Sequence, residues 1–424
     1  MQRSIMFFVV SVVLFGIDFY AYQGLKVAIS PLPELGQRVF KWFFWGLTIF
    51  TIAGFILFEP LSKHQSTRPI LMVIVTIGAA NMIGKLLFAI WLLIDDVRRL
   101  LQYIWTSLNP ESVMETAKNG GISRSTFISQ AGAITAALPI IGMGWGVLSG
   151  AHDYRVLRRT VSLPNLPKAF DGYTITQVSD IHAGSFWNKK AVARGVKMIN
   201  DQKSDIIFFT GDLVNNKAEE MTDWKDLFSS LEARHGVKSV LGNHDYGDYV
   251  AWGSAEDKGK NLKDLIDIQK EMGWDLLIDE HRKITIGTDS IAILGIQNWG
   301  AKGRFPKYGD LTKANQGLDS SITKLLLSHD PSHWKEQVLP EFSDIDLMFS
   351  GHTHGFQFGI EVGSIKWSPV KYFYPEWADL YSEGHQHLYV NRGFGYIGYP
   401  GRMGILPEIT VITLKSGDRS AVSV

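Results

Sequence analysis

The sequence predicts an α/β layered domain with mixed sheets, preceded by an α-helical transmembrane region of about four spans. Three observations predict it. The first third of the chain holds four apolar runs, each long enough to cross a bilayer. From Asp171 onward, short apolar runs alternate with polar, helix-like segments. Five of those later runs end in clusters of Asp, Asn and His. The 424 residues divide accordingly into 1–150 as membrane region, 151–170 as linker and 171–424 as a soluble domain.

The spans come first. Ile5 to Leu25, Val39 to Phe58, Ile70 to Ile94 and Phe127 to Ser149 are almost wholly apolar. Trp42, Trp45, Trp91, Trp105, Tyr20 and Tyr22 lie near their ends, where interfacial aromatics gather. Asp18, Asn81 and Lys85 fall inside or near the spans and are read as helix–helix pairing groups or as functional polar groups. Lys and Arg are balanced across the two sides, so charge leaves the orientation tied. The stretch Ser123-Arg124-Ser125-Thr126-Phe127-Ile128 resembles a degenerate twin-arginine export signal and favours an extracytoplasmic soluble domain. Residues 151–170 are basic, carry Pro164 and Pro167 and show little periodicity, hence the linker.

In the soluble part, Tyr173–Val178, Ile206–Thr210, Val237–Leu241, Ile291–Ile296, Ile322–Leu327, Ile345–Phe349, His387–Val390 and Ile409–Leu414 read as strands. Ala191–Asn200, Trp224–Ala233 and Leu262–Met272 read as helices. Lys+Arg and Asp+Glu both total 42, so charge gives no reason to propose a nucleic-acid partner. There is no cysteine, which excludes disulfides, thiolate metal sites and cysteine nucleophiles.

The clusters carry the chemistry. They are Ser179-Asp180-Ile181-His182, Gly211-Asp212, Gly242-Asn243-His244-Asp245, Ser328-His329-Asp330 and Gly351-His352-Thr353-His354. Each alone reads as a turn or a hydrogen-bond network. Five in a row at strand ends, where open α/β sheets gather their active groups, point to one site. The Asp and Asn oxygens with four imidazoles, and no sulfur, suit two divalent ions such as Mn²⁺, Fe or Zn²⁺. A carboxylate such as Asp212 can bridge two ions.

These blocks, in this order, resemble the calcineurin-like metallophosphoesterase superfamily. The tail Tyr389-Val390-Asn391-Arg392-Gly393 and the membrane-linked start are similar to its membrane-associated bacterial branch of YkuE-type phosphodiesterases. The resemblance implies a four-layer sandwich, two mixed sheets flanked by helices, with the site at the strands' C-terminal edge. It implies that Asp180, His182 and His354 hold one metal, that Asp212 bridges, and that Asn243, His329 and His352 hold the second. His244 would face the scissile phosphate, with Asp245 orienting its ring. Arg392 and Arg402, in glycine-rich loops, are candidate substrate-phosphate ligands.

The expected function is a membrane-anchored phosphoesterase of the bacterial inner membrane. It would be a phosphodiesterase in particular, acting through a metal-held hydroxide on a phosphate ester, with a lipid-linked ester among the substrate classes. A phosphomonoesterase or pyrophosphatase, or a non-catalytic metal-binding scaffold, are the alternatives. The aromatic segment Trp367 to Trp377 is read as core, as rim or as a bilayer contact, and the polar segment Tyr246 to Lys260 as a lid.

Overall fold

The computed structural model of the chain describes residues 2–62, 67–109, 123–303, 305–363 and 365–417. It falls into two compact units, 1–145 and 146–424.

The first unit is helical: α1 (Gln2–Ile29), α2 (Glu34–Ser62), α3 (Arg68–Leu108) and α4 (Arg124–Leu148). All four are long and apolar enough to cross a membrane. α3 runs well past the expected end at Ile94. Its 41 residues extend about 60 Å, roughly twice a hydrocarbon core. The extension opens on a charged turn, Asp95 to Arg99, where ion pairs one turn apart support it, Arg98 to Asp95 at 2.8 Å and Arg99 to Asp95 at 3.2 Å. The intramembrane polar residues pair with one another. Lys85 Nζ lies 2.7 Å from an Asp18 oxygen and donates to Thr48 Oγ1 at 2.6 Å. Asn81 Nδ2 donates to Thr51 Oγ1 at 2.9 Å. In hydrocarbon an unpaired polar group is costly, so these contacts tie α1, α2 and α3 together.

The second unit is a sandwich of two six-stranded sheets. Its strands run, in chain order, β1 (Arg155–Leu163), β2 (Thr174–Val178), β3 (Ile206–Phe209), β4 (Val237–Ser239), β5 (Asp275–Leu276), β6 (Glu280–Ile286), β7 (Asp289–Gly295), β8 (Thr323–Leu327), β9 (Leu347–Ser350), β10 (Ile360–Val362), β11 (Ile365–Trp367), β12 (Asp379–Glu383), β13 (Gln386–Val390) and β14 (Glu408–Ser416). One sheet has the order β1-β14-β2-β3-β4-β5 and the other β12-β13-β9-β8-β7-β6; β10 and β11 form a separate hairpin. Both sheets are mixed, parallel at their centres with antiparallel pairs at β14–β2, β6–β7 and β12–β13.

Period-two alternation builds the layers. Ile206 and Phe208 of β3 point into the core between the sheets, with Leu325 and Leu327 of β8 and Leu347 and Phe349 of β9. Ile207 and Phe209 point the other way, against α5 (Lys189–Asn200) and α7 (Ala255–Glu271). Leu326 and Met348 face Trp334 and Val338 on the outside of the second sheet. Strands covered on both faces read as continuous apolar runs, which is why these are legible.

Two expectations change. Residues 151–170 are not a linker: Arg155–Leu163 pair in parallel along the whole of β14 and form the edge of the first sheet. The first part of β1 is only half-buried and carries Arg155, Arg158 and Arg159, which hides its alternation. The helix expected at Trp224–Ala233 is a single turn, α6 (Lys225–Phe228).

Candidate metal centre

Five strand ends converge at one edge of the sandwich. β2 leads to Asp180 and His182, β3 to Asp212, β4 to Asn243 and His244, β8 to His329, and β9 to His352 and His354. The turns are laced together by their backbones. Asp180 N donates to Gly211 O at 2.9 Å, His182 N to Asp212 O at 3.1 Å, and Gly351 N to His329 O at 2.9 Å. Two glycines permit this closeness. A Cβ on Gly211 would meet Gly242 N at 2.6 Å, and one on Gly351 would meet Ser179 Oγ at 1.9 Å. Asp180, His182, Asp212, His352 and His354 all adopt the left-handed backbone region, with φ between 50° and 71°. That region costs a non-glycine residue roughly 1–2 kcal/mol, and clusters of such residues mark functional sites.

The side chains meet in two overlapping groups. In the first, His182 Nε2 and His354 Nε2 lie 3.0 Å apart, and Asp180 Oδ1 is 3.2 Å from His354 Nε2. In the second, Asp212 Oδ2 is 3.2 Å from His329 Nε2. His352 Nδ1 joins it, 2.8 Å from Asn243 Oδ1 and 3.3 Å from His329 Nε2. Asp212 Oδ2 also lies 3.5 Å from His182 Nε2, so this carboxylate reaches both groups. Within each of the sets Asp180, His182, His354 and Asp180, Asp212, His329, the ligand atoms lie within 4.8 Å of one another, and all these residues are buried.

The electrostatics match. Burial alone would raise the pKa of Asp212, but the imidazoles of His329 and His244 outweigh it and hold the carboxylate well below its usual range. Burial opposes charge on His329, yet Asp212 and Asp180 drive its pKa up to about 10. Oxygen and nitrogen donors that converge on shared points, with buried carboxylate charge among them, fit a pair of divalent cations.

Two stretches of the chain match two family descriptions: residues 2–151 "Probable Calcineurin-like phosphoesterase, transmembrane domain", and residues 173–356 "Calcineurin-like phosphoesterase". The metallophosphoesterase YkuE of Bacillus subtilis (strain 168) is 31% identical over 68% of this chain and 93% of its own. The chain belongs to the calcineurin-like phosphoesterase family. Among other relatives of this family, a "Transmembrane protein with metallophosphoesterase domain" from Danio rerio is 29% identical over 71% of this chain, and one from Bos taurus 27% over 67%. The match spans 65% of the Danio rerio protein's length and 61% of the Bos taurus protein's.

Not every expected residue of the phosphoesterase site sits as expected. Asp245 does not orient His244. Its carboxylate accepts the backbone N–H groups of Gly242, Asp212, Leu213 and Val214, at 2.8 to 3.3 Å, and so fixes the turn that carries Asp212. Burial and the nearby Asp212 push its pKa up to about 7. The His244 ring is held instead by the carbonyl of Asn215, which accepts from Nδ1 at 2.7 Å. A backbone carbonyl in a loop leaves no side-chain signal in a sequence.

Arg392 does not line the cavity. It is buried, ion-paired with Glu408 and lies 3.2 Å from Glu361. Arg402 is also buried and donates to the carbonyls of Arg392, Gly393 and Gly395, closing the loop behind His354. Both guanidiniums therefore organise structure. Arg392→Ala would leave Glu408 as a lone buried charge, and a loss of about 3–5 kcal/mol in stability is expected. Thermal unfolding in detergent checks it; a raised KM with unchanged stability would restore the substrate-binding role.

Two tyrosines complete the site without having been assigned to it. Tyr374 OH lies 3.0 Å from His352 Nε2 and donates to Asp330 at 3.4 Å. Tyr249 OH accepts from Asn243 Nδ2 at 2.8 Å, and its ring lies 4.5 Å from that of His244. Three other histidines are bonded elsewhere: His281 to the Ala314 carbonyl, His385 to the Ser343 carbonyl and His387 to the Ser382 hydroxyl. A cavity of about 400 Å³ opens above Asp212, Asn243, His244, His352 and His354, walled by Phe305, Phe356, Val370, Tyr374, Ile397 and Tyr399.

Proposed function

We propose that this chain is a membrane-anchored, two-metal phosphoesterase, and a phosphodiesterase in particular. The observation that carries the reading is the convergence of Asp180, His182, Asp212, Asn243, His329, His352 and His354 from five strand ends beneath one cavity. Asp180, His182 and His354 would hold one cation, Asn243, His329 and His352 the other, with Asp212 placed to reach both. The chemistry that two divalent ions such as Mn²⁺, Fe or Zn²⁺ would supply there is neutralisation of the phosphate oxygens and a lowered pKa for water.

The protein's own groups do the rest. The strained turns hold the donors in place before substrate arrives, so little reorganisation is left for the reaction. Asp245 keeps the Asp212 turn from relaxing. His244 has its Nδ1 proton committed to the Asn215 carbonyl, which leaves Nε2 to carry a proton to the departing alkoxide. Tyr374 and Tyr249 fix the outer edges of His352 and Asn243. The aromatic and aliphatic walls suit an ester with an apolar substituent, which supports a lipid-linked diester as substrate. A balanced charge supports the absence of a nucleic-acid partner. The export-like Ser123-Arg124-Ser125 stretch ahead of the fourth span supports a catalytic unit on the extracytoplasmic side of a bacterial inner membrane.

The test is hydrolysis of bis-p-nitrophenyl phosphate by the full chain in detergent, with Mn²⁺, Fe²⁺ or Zn²⁺ supplied after chelation. Turnover is expected with at least one metal, exceeding that on p-nitrophenyl phosphate. The reverse preference would favour a phosphomonoesterase. Inactivity toward both esters with every metal would favour a non-catalytic scaffold. Protease access to the second unit in intact cells decides the side.

A further inference from the structure

The hairpin β10–β11 has its polar face anchored and its apolar face free. Val362 pairs with Ile365, Glu361 with Lys366, and Ile360 with Trp367. Alternation therefore puts Ile360, Val362, Ile365 and Trp367 on one face and Glu361 and Lys366 on the other. The charged face is tied down. Glu361 is 3.2 Å from Arg392 and 3.7 Å from Lys366, and Lys366 is ion-paired with Asp379. The apolar face is left in the open, with Val362 69% and Ile365 65% exposed. This reverses the usual economy of a surface hairpin, in which apolar side chains turn inward.

The exposed face does not end with the hairpin. Tyr372 and Phe373 follow it in the chain, 71% and 63% exposed. The Phe373 ring lies 5.9 Å from that of Phe356, which walls the cavity above the metal centre. Exposed apolar side chains thus recur along the chain from Phe356 at the mouth of the site through the hairpin to Phe373. Lysines flank it: Lys371 stacks over the Tyr372 ring at 5.3 Å, and Lys302 donates to the Phe373 carbonyl at 2.6 Å. Tyrosine, phenylalanine and lysine beside exposed aliphatics form the composition that seats in the headgroup region of a bilayer. Exposed apolar patches of this kind mark interaction sites.

The chain also supplies a bilayer within reach. α4 is long and apolar enough to span a membrane, and it ends at Leu148; β1 begins at Arg155. The connection, residues 149–154, can extend no more than about 20 Å.

We infer that the β10–β11 hairpin, with Tyr372 and Phe373, dips into the lipid surface and joins the mouth of the metal centre to the bilayer. Its partner is the bilayer itself, and the substrate it admits is an amphiphilic phosphate ester whose apolar part stays in lipid. Only that last step rests on the proposed phosphoesterase activity.

The absence of cysteine makes the test direct. Val362→Cys, Ile365→Cys and, as a control outside the patch, Glu232→Cys are each labelled with bimane in the full-length protein. The proteins are reconstituted into vesicles of phosphatidylcholine and phosphatidylglycerol containing doxyl-phosphatidylcholine. Quenching at 362 and 365 is expected to exceed that at 232 by about threefold or more. Quenching no greater than at 232 overturns the inference, as does a label shielded from water yet untouched by the doxyl lipid, which would mean a protein covers the face. The double variant Val362→Asp/Ile365→Asp is expected to lose about tenfold in turnover of a fluorogenic phosphodiester embedded in the vesicles, with bis-p-nitrophenyl phosphate turnover unchanged. An equal loss on both substrates also overturns it. Quenching needs no turnover, so an inactive preparation would count against the enzyme reading and leave the lipid contact to be decided on its own.

Discussion

Asp212→Asn is expected to cost about three orders of magnitude in turnover of bis-p-nitrophenyl phosphate and to lower bound metal from two ions per chain toward one. The reason is position. Asp212 Oδ2 lies 3.2 Å from His329 Nε2 and 3.5 Å from His182 Nε2, so one carboxylate serves both donor groups. Its other oxygen accepts the His244 backbone N–H at 2.8 Å. Asparagine keeps the size and that hydrogen bond, and its amide can donate to a neutral His329, so the turn is expected to stay folded. What it removes is the charge that holds two cations close together. Transition-state stabilisation by such a pair is worth several kcal/mol, and about 4 kcal/mol corresponds to 10³-fold in rate. Metal content by mass spectrometry and kcat, measured on protein with an unchanged unfolding temperature, check it together. Wild-type stoichiometry with wild-type kcat would remove Asp212 from the bridging role and shift the centre toward Asp180.

The same residues show what a sequence can and cannot disclose. Ile206–Phe209 and Leu347–Ser350 are covered on both faces, so each reads as an unbroken apolar run. The polar cluster after each run is then legible as a strand end, and the donor set follows from the clusters. β1 was hidden because its partner, β14, lies some 250 residues away and because its first part is half-buried and basic. Local periodicity carries no record of such a pairing. Side chains whose partners are backbone atoms were misread for a related reason. Asp245 follows a histidine in the chain, and adjacency reads as a side-chain pair. In the folded protein its oxygens are saturated by four N–H groups from two turns. Arg392 sits in a glycine-rich loop that reads as open to substrate, yet Glu408, at the start of β14, draws it inside. Its position depends on which strand the chain returns to, a property of topology. The hairpin at 360–367 is the converse case: its alternation is plain, but only the ion pairs of Glu361 and Lys366 reveal which face turns outward.

His244→Ala is expected to retain both metals and to lose turnover by an amount that depends on the leaving group. The ring stands apart from the two donor groups: its Nδ1 is bound to the Asn215 carbonyl at 2.7 Å, and its plane meets that of His182 edge-on at 5.0 Å between centroids. The backbone N–H of residue 244, which supports Asp212, survives the substitution. A positioned general acid contributes roughly 10²–10⁴-fold where the leaving oxygen needs its proton. An alkyl alkoxide needs it and p-nitrophenolate, a weak base, scarcely does. A dialkyl diester, which must expel an alkoxide, should therefore slow by about 10²-fold or more, and bis-p-nitrophenyl phosphate by less than about tenfold. If His244 serves instead to stabilise charge on the phosphate, both substrates will slow alike, because that charge does not depend on the leaving group. If it is a metal ligand, metal content will fall with turnover. The ratio of the two losses, read beside the metal content of the same preparation, separates the three roles.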